Sequence, residues 1–224
     1  MTAGVLTLDA ATIGAFEVAV SFTSFGPVMR QIVCVTNTGA AGVASVQWHN
    51  NSGADDSMLT IGTSDADLLA ETTDRWVVTA DSLTDTDNEV DSWVFAGAGA
   101  AVAPTSVGMV DAHSVFGEFG DQGFNAVFDL ALGMGEKKSL LFFTGIEGIN
   151  ADGLALAAAF DDQSSPFFQG LIADLSTAER ASVVNFDLNS SAAVPEPSSL
   201  ALVGCAGIVT GGWTLRRRRT TSKA

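Results

Sequence analysis

The feature that most constrains the fold of this chain is a series of short apolar runs, each ended by Gly, Asn, Asp or Ser. The runs are rich in β-branched and aromatic residues, and several alternate between apolar and polar positions, as half-buried strands do. Strands recurring at this spacing are typical of a sandwich or a related barrel, so we predict an all-β fold, an antiparallel β-sandwich of about ten strands. The alternation of residues 1–20 also indicates first strands, and the other predicted strands are residues 16–22, 29–37, 43–50, 57–62, 75–81, 91–99, 106–110, 113–119, 124–132 and 138–147.

Three connections between these runs have the composition of hairpin turns. The stretch TNTGAAG, residues 36–42, contains the Asn and Gly that reach positive φ. Gly133 and Gly135 mark a second hairpin, between the last two predicted strands. The third joins the similar stretches DRWV and DSWV through residues 81–91, and we expect it to bring Trp76 and Trp93 near one another.

Two short helices are predicted near the end of the β-rich region. Residues 150–160 are rich in alanine, and Asp152 lies near the start of that stretch. Residues 175–186 begin with Ser176, and Glu179 follows three positions later. This is the spacing of a capping box, in which each side chain bonds the other residue's backbone N–H.

The charge of the chain is divided unevenly along its length. The formal net charge is −16, yet five of the ten basic residues and only one of the 26 acidic residues follow Val194, so the region before it carries −20. A field of this sign repels phosphate backbones, so we expect no nucleic-acid partner. The two cysteines, Cys34 and Cys205, lie in separate apolar runs and are not expected to form a disulfide.

One acidic loop is a candidate calcium site. Residues 81–91 place carboxylates at alternate positions, which is one way for a loop to surround a hard cation that prefers six to eight oxygen ligands. The loop lacks the glycine at position six and the glutamate at position twelve of an EF-hand, so a solvated acidic loop is the alternative. A second acidic stretch, residues 64–74, has a weaker pattern. The candidate calcium ligands are Asp85, Asp87, Glu89 and Asp91.

No catalytic constellation is apparent, and we expect no enzyme activity. His49 and His113 are the only histidines, which is too few for a zinc site in the absence of suitably spaced cysteines. Neither a nucleophile elbow nor a glycine-rich phosphate loop occurs. We expect a structural, non-catalytic protein; the alternatives are a carbohydrate-binding or calcium-binding module and, last, a hydrolase. A sugar-binding face would require Trp48, Trp76 or Trp93 to be exposed on one side of the fold, whereas most aromatic residues are expected in the core.

The end of the chain differs from everything before it. Residues 198–215 are 18 consecutive uncharged and largely apolar residues, near the lower limit for a transmembrane helix. Four arginines follow immediately, and the positive-inside rule retains such residues in the cytoplasm. Pro195 and Pro197 stiffen the preceding linker. We therefore expect the β-rich region to lie on the outer side of a membrane.

This ordered tail resembles the PEP-CTERM protein-sorting signal. The resemblance consists of the Pro-Glu-Pro motif, the apolar segment and the basic cluster, in that order, over about 30 residues. It implies recognition by an exosortase of Gram-negative and related bacteria, removal of the tail near Pro-Glu-Pro, and delivery to the cell surface or beyond, often together with exopolysaccharide. The residues that match the signal are Val194, Pro195, Glu196, Pro197, Arg216, Arg217, Arg218 and Arg219.

The resemblance and the composition together divide the chain into four parts. We expect an extracytoplasmic β-rich domain at residues 1–188, a linker at 189–197, a transmembrane helix at 198–215 and a basic cytoplasmic tail at 216–224. The first 20 residues have no basic segment followed by an apolar one, as a secretory signal would. Because the tail implies export, we expect a leader upstream of the first residue.

Overall fold

A computed structural model describes residues 4–51, 58–84, 89–110 and 123–188. The chain divides into two compact units, Met1–Asn189 and Ser190–Ala224, and all described residues belong to the first. The strands are β1 Val5–Ile13, β2 Phe16–Phe25, β3 Val28–Asn37, β4 Gly42–Asn51, β5 Leu59–Thr63, β6 Trp76–Ala80, β7 Val90–Val94, β8 Ser106–Val110, β9 Gly123–Leu132 and β10 Lys137–Glu147. The helices are α1 Asn150–Ala158, α2 Pro166–Leu171 and α3 Thr177–Ser182.

The described region is mostly antiparallel β-sheet with a few short helices, which confirms the predicted fold class at that level. A seven-stranded sheet has the order β1-β2-β3-β10-β7-β6-β5, and a three-stranded sheet has the order β4-β9-β8. All paired strands in both sheets are antiparallel. The predicted strand at residues 113–119 lies outside the described residues, and the predicted strand at 91–99 ends earlier, at Val94.

The two sheets share an apolar core, here called the inter-sheet core. Trp48 of the small sheet stacks on Phe142 of the large sheet, with their ring centroids 4.5 Å apart, and Trp93 stacks on Phe124 at 5.6 Å. These four side chains are at most 2% exposed. Side chains of alternate strand residues therefore meet face to face, as in two-layer β architectures.

The helices cover the opposite face of the large sheet and form a second core, here called the helix-side core. Phe143 of β10 lies there, among aromatic side chains contributed by the helical region, Phe160, Phe168 and Phe186. Helix α1 approaches the sheet closely at Gly153, where an added Cβ would lie 2.4 Å from the Cγ1 of Val90. Glycine is required there because the helix backbone itself contacts the strand.

Two of the predicted hairpins are wrong in their pairing. The turn after β3 leads to β4 in the other sheet, and the turn between β9 and β10 likewise crosses between sheets. Asn37 joins the two crossings: its side-chain amide donates to the carbonyls of Ala40 (2.8 Å) and Leu132 (3.0 Å), and its side-chain oxygen accepts from the N–H of Gly39. The turn residues were identified correctly, but composition does not specify which strand the chain pairs with afterwards.

The third predicted hairpin is confirmed, and its two tryptophans lie on neighbouring strands, although their side chains face opposite sides of the sheet. Strands β6 and β7 pair with Val77 opposite Trp93, so Trp76 and Trp93 are offset by one residue. Adjacent strand residues face opposite sides of a sheet. Trp76 therefore belongs to the helix-side core and Trp93 to the inter-sheet core.

Both predicted helices form, and a third was not predicted. Helix α1 occupies most of residues 150–160, and α3 has the predicted capping box between Ser176 and Glu179. Helix α3 ends earlier than predicted because Val183 is extended and forms a bridge with Ser139. Within the described residues no helix is both long and apolar enough to cross a membrane; the predicted transmembrane segment, residues 198–215, lies outside them.

Candidate functional site

Most of the residues predicted to carry function lie outside the part of the chain that the structure describes. This is true of the whole sorting signal, from Val194 to Arg219, and of the calcium candidates Asp85 and Asp87. The described calcium candidates are Glu89, which is exposed and precedes β7, and Asp91, which lies within β7.

Asp91 is an unusual residue for the centre of a sheet. It lies opposite Thr79 of β6 and Ile146 of β10 and is only 2% exposed. Since Trp93 faces the inter-sheet core, Asp91, two residues earlier, is on the same face of the strand. Its Oδ2 atom has no hydrogen-bond partner among the described residues.

The surroundings of Asp91 favour its neutral form. Burial raises the pKa of this carboxyl to about 8, and the nearby charges of Glu89 and Asp81 contribute in the same direction. The arrangement can hold a proton, or a cation in place of that proton. Across the described ranges, no three His, Cys, Asp or Glu side chains are grouped as a complete metal site.

The second acidic stretch uses its side chains to hold its own loop. Asp74 is buried and accepts from the N–H and hydroxyl of Ser64 and from the N–H of Glu71. Thr63 accepts from the N–H groups of Asp67 and Leu68. These bonds support two residues with positive φ, Ala66 at 68° and Leu68 at 65°. The bonds of Asp74 give this acidic residue a structural role in the loop.

The three tryptophans considered for a sugar-binding face are buried. Trp48, Trp76 and Trp93 are 2%, 7% and 1% exposed. Each ring N–H donates to a protein side chain: to Gln31 at 2.9 Å, to Asp161 at 3.2 Å and to Thr79 at 2.8 Å, respectively. They are core residues, as expected for most aromatics, and they do not form an exposed platform.

A groove of about 300 Å³ lies on the helix side of the large sheet, and we call it the Arg30 groove. Helix α3 and the segments flanking it form one wall, and strands β1 to β3 form the floor. The lining residues are Val5, Thr7, Ala19, Val20, Ser21, Thr23, Arg30, Ile32, Cys34, Lys137, Ser139, Asp174, Leu175, Glu179 and Val183.

The two terminal nitrogens of the central cation of this groove are engaged by the protein, whereas the Nε of Arg30 has no hydrogen-bond partner among the described residues. Arg30 is 3% exposed, and its two terminal nitrogens donate to both carboxylate oxygens of Asp174, at 2.5 and 2.7 Å. The same group also donates to the carbonyl of Leu171 and the hydroxyl of Thr23, and it lies over the ring of Phe25. The pKa of Asp174 is lowered, first by these hydrogen bonds. Arg30 therefore ties the α2–α3 connection to the sheet.

A second carboxylate of the groove, that of Glu179, is also bonded within the protein. Glu179 accepts from the N–H and hydroxyl of Ser176, and these bonds, together with nearby Lys137, lower the pKa of Glu179. The groove has space for a small polar ligand, but its described side chains form no nucleophile–base pair. Sequence reasoning did not find this groove, because the partner of Arg30 lies 144 residues further along the chain.

Comparisons with known proteins add little to this geometry. No protein-family model matches the chain, and no curated protein matches it. Among solved structures, it is similar to a chain described as a putative kojibiose phosphorylase from human microbiome, with 9% identity and a TM-score of 0.39. The match covers 76% of this chain and 21% of that one, so this chain spans about a fifth of that protein's length. No function follows from a likeness of this size.

Proposed function

We propose that this chain is an exported cell-surface or extracellular-matrix protein that is sorted through a C-terminal PEP-CTERM signal. The observation that carries the proposal is the order of three features at residues 194–219: Pro-Glu-Pro, an uncharged apolar segment and four arginines. The partner that the signal implies is an exosortase. Residues 198–215 form the transmembrane helix, and Arg216 to Arg219 hold its end in the cytoplasm.

The region that precedes the signal is proposed to be a structural, non-catalytic β-sandwich. Two observations support this role: its aromatic residues are used in two cores, and the central cation of its groove is neutralised by Asp174. A charge of −20 before Val194 keeps such a domain soluble and hydrated outside the cell. Exopolysaccharide is the proposed environment.

The sorting proposal is tested by changing the signal and following where the protein goes in its own host. Glu196→Ala and, separately, replacement of all four arginines by glutamine are compared with Glu147→Ala, a substitution far from the signal in sequence. We expect unchanged protein and Glu147→Ala to lose the tail and reach the surface or medium. Both signal variants should retain the tail and accumulate in the membrane or cytoplasm.

Two results would count against the proposal. If Glu196→Ala were processed and released like Glu147→Ala, Pro-Glu-Pro would not be the recognised motif. If deletion of the host's exosortase left the size of the protein unchanged, the tail would be a permanent anchor.

A second candidate function is calcium binding by the loop at residues 81–91. The observation that favours it is the buried Oδ2 of Asp91, which has no partner among the described residues and lies near the charges of Asp81 and Glu89. A divalent cation bound there would replace the proton on Asp91 and offset the repulsion.

This candidate is tested by thermal unfolding with and without millimolar CaCl₂ at pH 7. We expect calcium to raise the melting temperature of the unchanged protein and of Asp129→Asn, which alters an exposed carboxylate. Asp91→Asn should remove the effect of calcium. No shift in the unchanged protein would exclude this function for the loop.

A further inference from the structure

Strand β1 exposes apolar side chains along its whole length. It is the end strand of the seven-stranded sheet, and all nine of its residues are exposed. Val5, Leu6, Leu8 and Ile13 are 63%, 60%, 48% and 65% exposed. Within the part of the chain that the structure describes, no strand pairs with the side of β1 that faces away from β2.

Proteins usually protect such an edge with lysine, proline or a very short strand. Strand β5, at the other end of the same sheet, has only five residues and an interrupted register. Strand β1 has nine residues, no proline and no basic residue; its register with β2 is interrupted between Leu8 and Ala11, and its one charged residue is Asp9. Because it is long and lacks lysine and proline, this edge remains open to pairing with another chain on either side of that interruption.

The register with β2 shows which side chains of β1 share a face. Leu8 lies opposite Val20, and Ala11 lies opposite Val18; both valines pack against the inter-sheet core. An odd separation such as 8 to 11 normally places two residues on opposite faces. The bulge between them restores the common face, so Leu6, Leu8, Ala11 and Ile13 continue the apolar face of the sheet beyond β2.

These four positions are symmetric about the point between Asp9 and Ala10. If two copies of β1 pair antiparallel around a twofold axis at that point, Leu6 lies opposite Ile13 of the second copy, and Leu8 lies opposite its Ala11. Asp9 then lies opposite Ala10 and not opposite a second Asp9. A twofold interface requires this kind of self-complementary surface.

We infer that β1 is the interface for a second copy of this chain, which joins the two seven-stranded sheets edge to edge. Two sets of groups stabilise the pair: the free backbone groups of β1 and the matched apolar side chains. Of the exposed large apolar side chains of β1, Leu6, Leu8 and Ile13 lie on the matched face, whereas Val5 lines the Arg30 groove on the other face. The two Asp9 carboxylates near the axis repel each other, so salt strengthens the dimer.

The register is tested by disulfide trapping in the full-length chain, with Cys34 and Cys205 replaced by serine. One preparation carries Leu8→Cys and another carries Ala11→Cys. Only directly opposed residues come within the Cα separation of about 4.4–6.8 Å that a disulfide requires. After mild oxidation, we expect a covalent dimer when the two preparations are mixed and little in either preparation alone.

The interface is tested separately with single substitutions to lysine, by sedimentation in a non-ionic detergent. Leu8→Lys places a charge at the pairing edge, and Val43→Lys is its control, since Val43 is 61% exposed on β4. We expect Leu8→Lys to weaken dimerisation at least tenfold and Val43→Lys to leave it unchanged. Both positions are exposed, so far-UV circular dichroism should be unaltered.

Three results would overturn the inference. A monomer at all concentrations would exclude the interface. Efficient trapping of Leu8→Cys with itself would show a different register. Equal loss of the dimer with Val43→Lys would place the contact on the small sheet.

Discussion

Strands β1 and β10 belong to the same sheet and are both rich in apolar residues, yet their environments are opposite. The four residues from Leu140 to Phe143 are all 0% exposed, whereas every residue of β1 is exposed. Strand β10 is covered on one face by the small sheet and on the other by the helices. Neither layer buries a residue of β1, so the covering layers, more than the local sequence, determine burial.

The largest expected difference between the two strands is in the stability lost when one side chain is replaced by alanine. Phe142→Ala leaves a cavity beside Trp48 and should lower the free energy of unfolding by about 3–5 kcal/mol. Leu6→Ala should change the free energy of unfolding of the monomer by less than about 0.5 kcal/mol, because Leu6 is exposed within a single chain. Urea denaturation of both variants at concentrations too low for two copies to pair measures the difference, and a loss above about 2 kcal/mol for Leu6→Ala there would show that β1 is covered within the monomer.

A smaller effect is expected where a side chain completes the hydrogen bonding of β10. Asn185 is fully buried; its amide donates to the carbonyls of Leu141 (2.6 Å) and Phe95 (2.7 Å), and its oxygen accepts from the N–H of Leu141 (2.8 Å). Asn185→Ala should cost about 1–3 kcal/mol, because buried backbone groups lose their partners. Ser45→Ala, on the exposed face of β4, should have no measurable effect in the same denaturation experiment. Equal stability of the two variants would mean that water replaces the amide.

The pH dependence of stability tests the buried carboxyl of Asp91. This residue lies on β7, which pairs with β10 on the side opposite β3. The pKa of Asp91 is raised to about 8 in the folded protein, so the folded state holds a proton that the unfolded state has released. This stabilisation is complete below the unfolded pKa of about 4, and it is lost as pH rises to about 8, at no more than about 1.4 kcal/mol per pH unit. Denaturation at pH 5, 6, 7 and 8 should show this decline, and it should be much weaker in Asp91→Asn. The same decline in that variant would assign the effect to another group.

The smallest expected effect is in the loop that follows β5, residues 64–74. Leu68 has a φ of 65°, in the region that favours glycine, and its side chain is 54% exposed. Leu68→Gly should therefore raise stability, by less than about 1 kcal/mol, because relief of strain exceeds the added freedom of the unfolded chain. Leu69→Gly, at an ordinary φ, should lower stability by about 0.4–1 kcal/mol. The same sign for both variants in thermal unfolding would contradict the assigned backbone strain.

Local features of the fold could be predicted from the sequence, and long-range ones could not. Alternation identified the strands, and Ser176 with Glu179 identified the start of a helix. Each of these signals involves residues that are only a few positions apart in the sequence. The turns around Asn37 and Gly135 were recognised as turns but were assigned to hairpins. After such a turn, the chain can pair within the same sheet or cross to the other sheet. The outcome depends on the side chains of the other sheet that share a core with Val33 and Phe142, and the composition of the turn does not specify those side chains.

The candidate sites show the same limit. Glu89 and Asp91 were identified as acidic neighbours, but the burial of Asp91 comes from β6, β10 and the sheet opposite. The Arg30–Asp174 pair had no sequence signal, since an arginine in a strand and an aspartate before a helix are each ordinary. The sorting signal could be proposed from the sequence because all the parts of the resemblance are contiguous in residues 194–219.

The most direct test of the proposed sorting is the intact mass of the protein purified from the surface or medium of its own host. We expect a mature chain that ends near Pro197 and lacks Arg216 to Arg219. A mature protein that retains the four arginines would contradict exosortase processing.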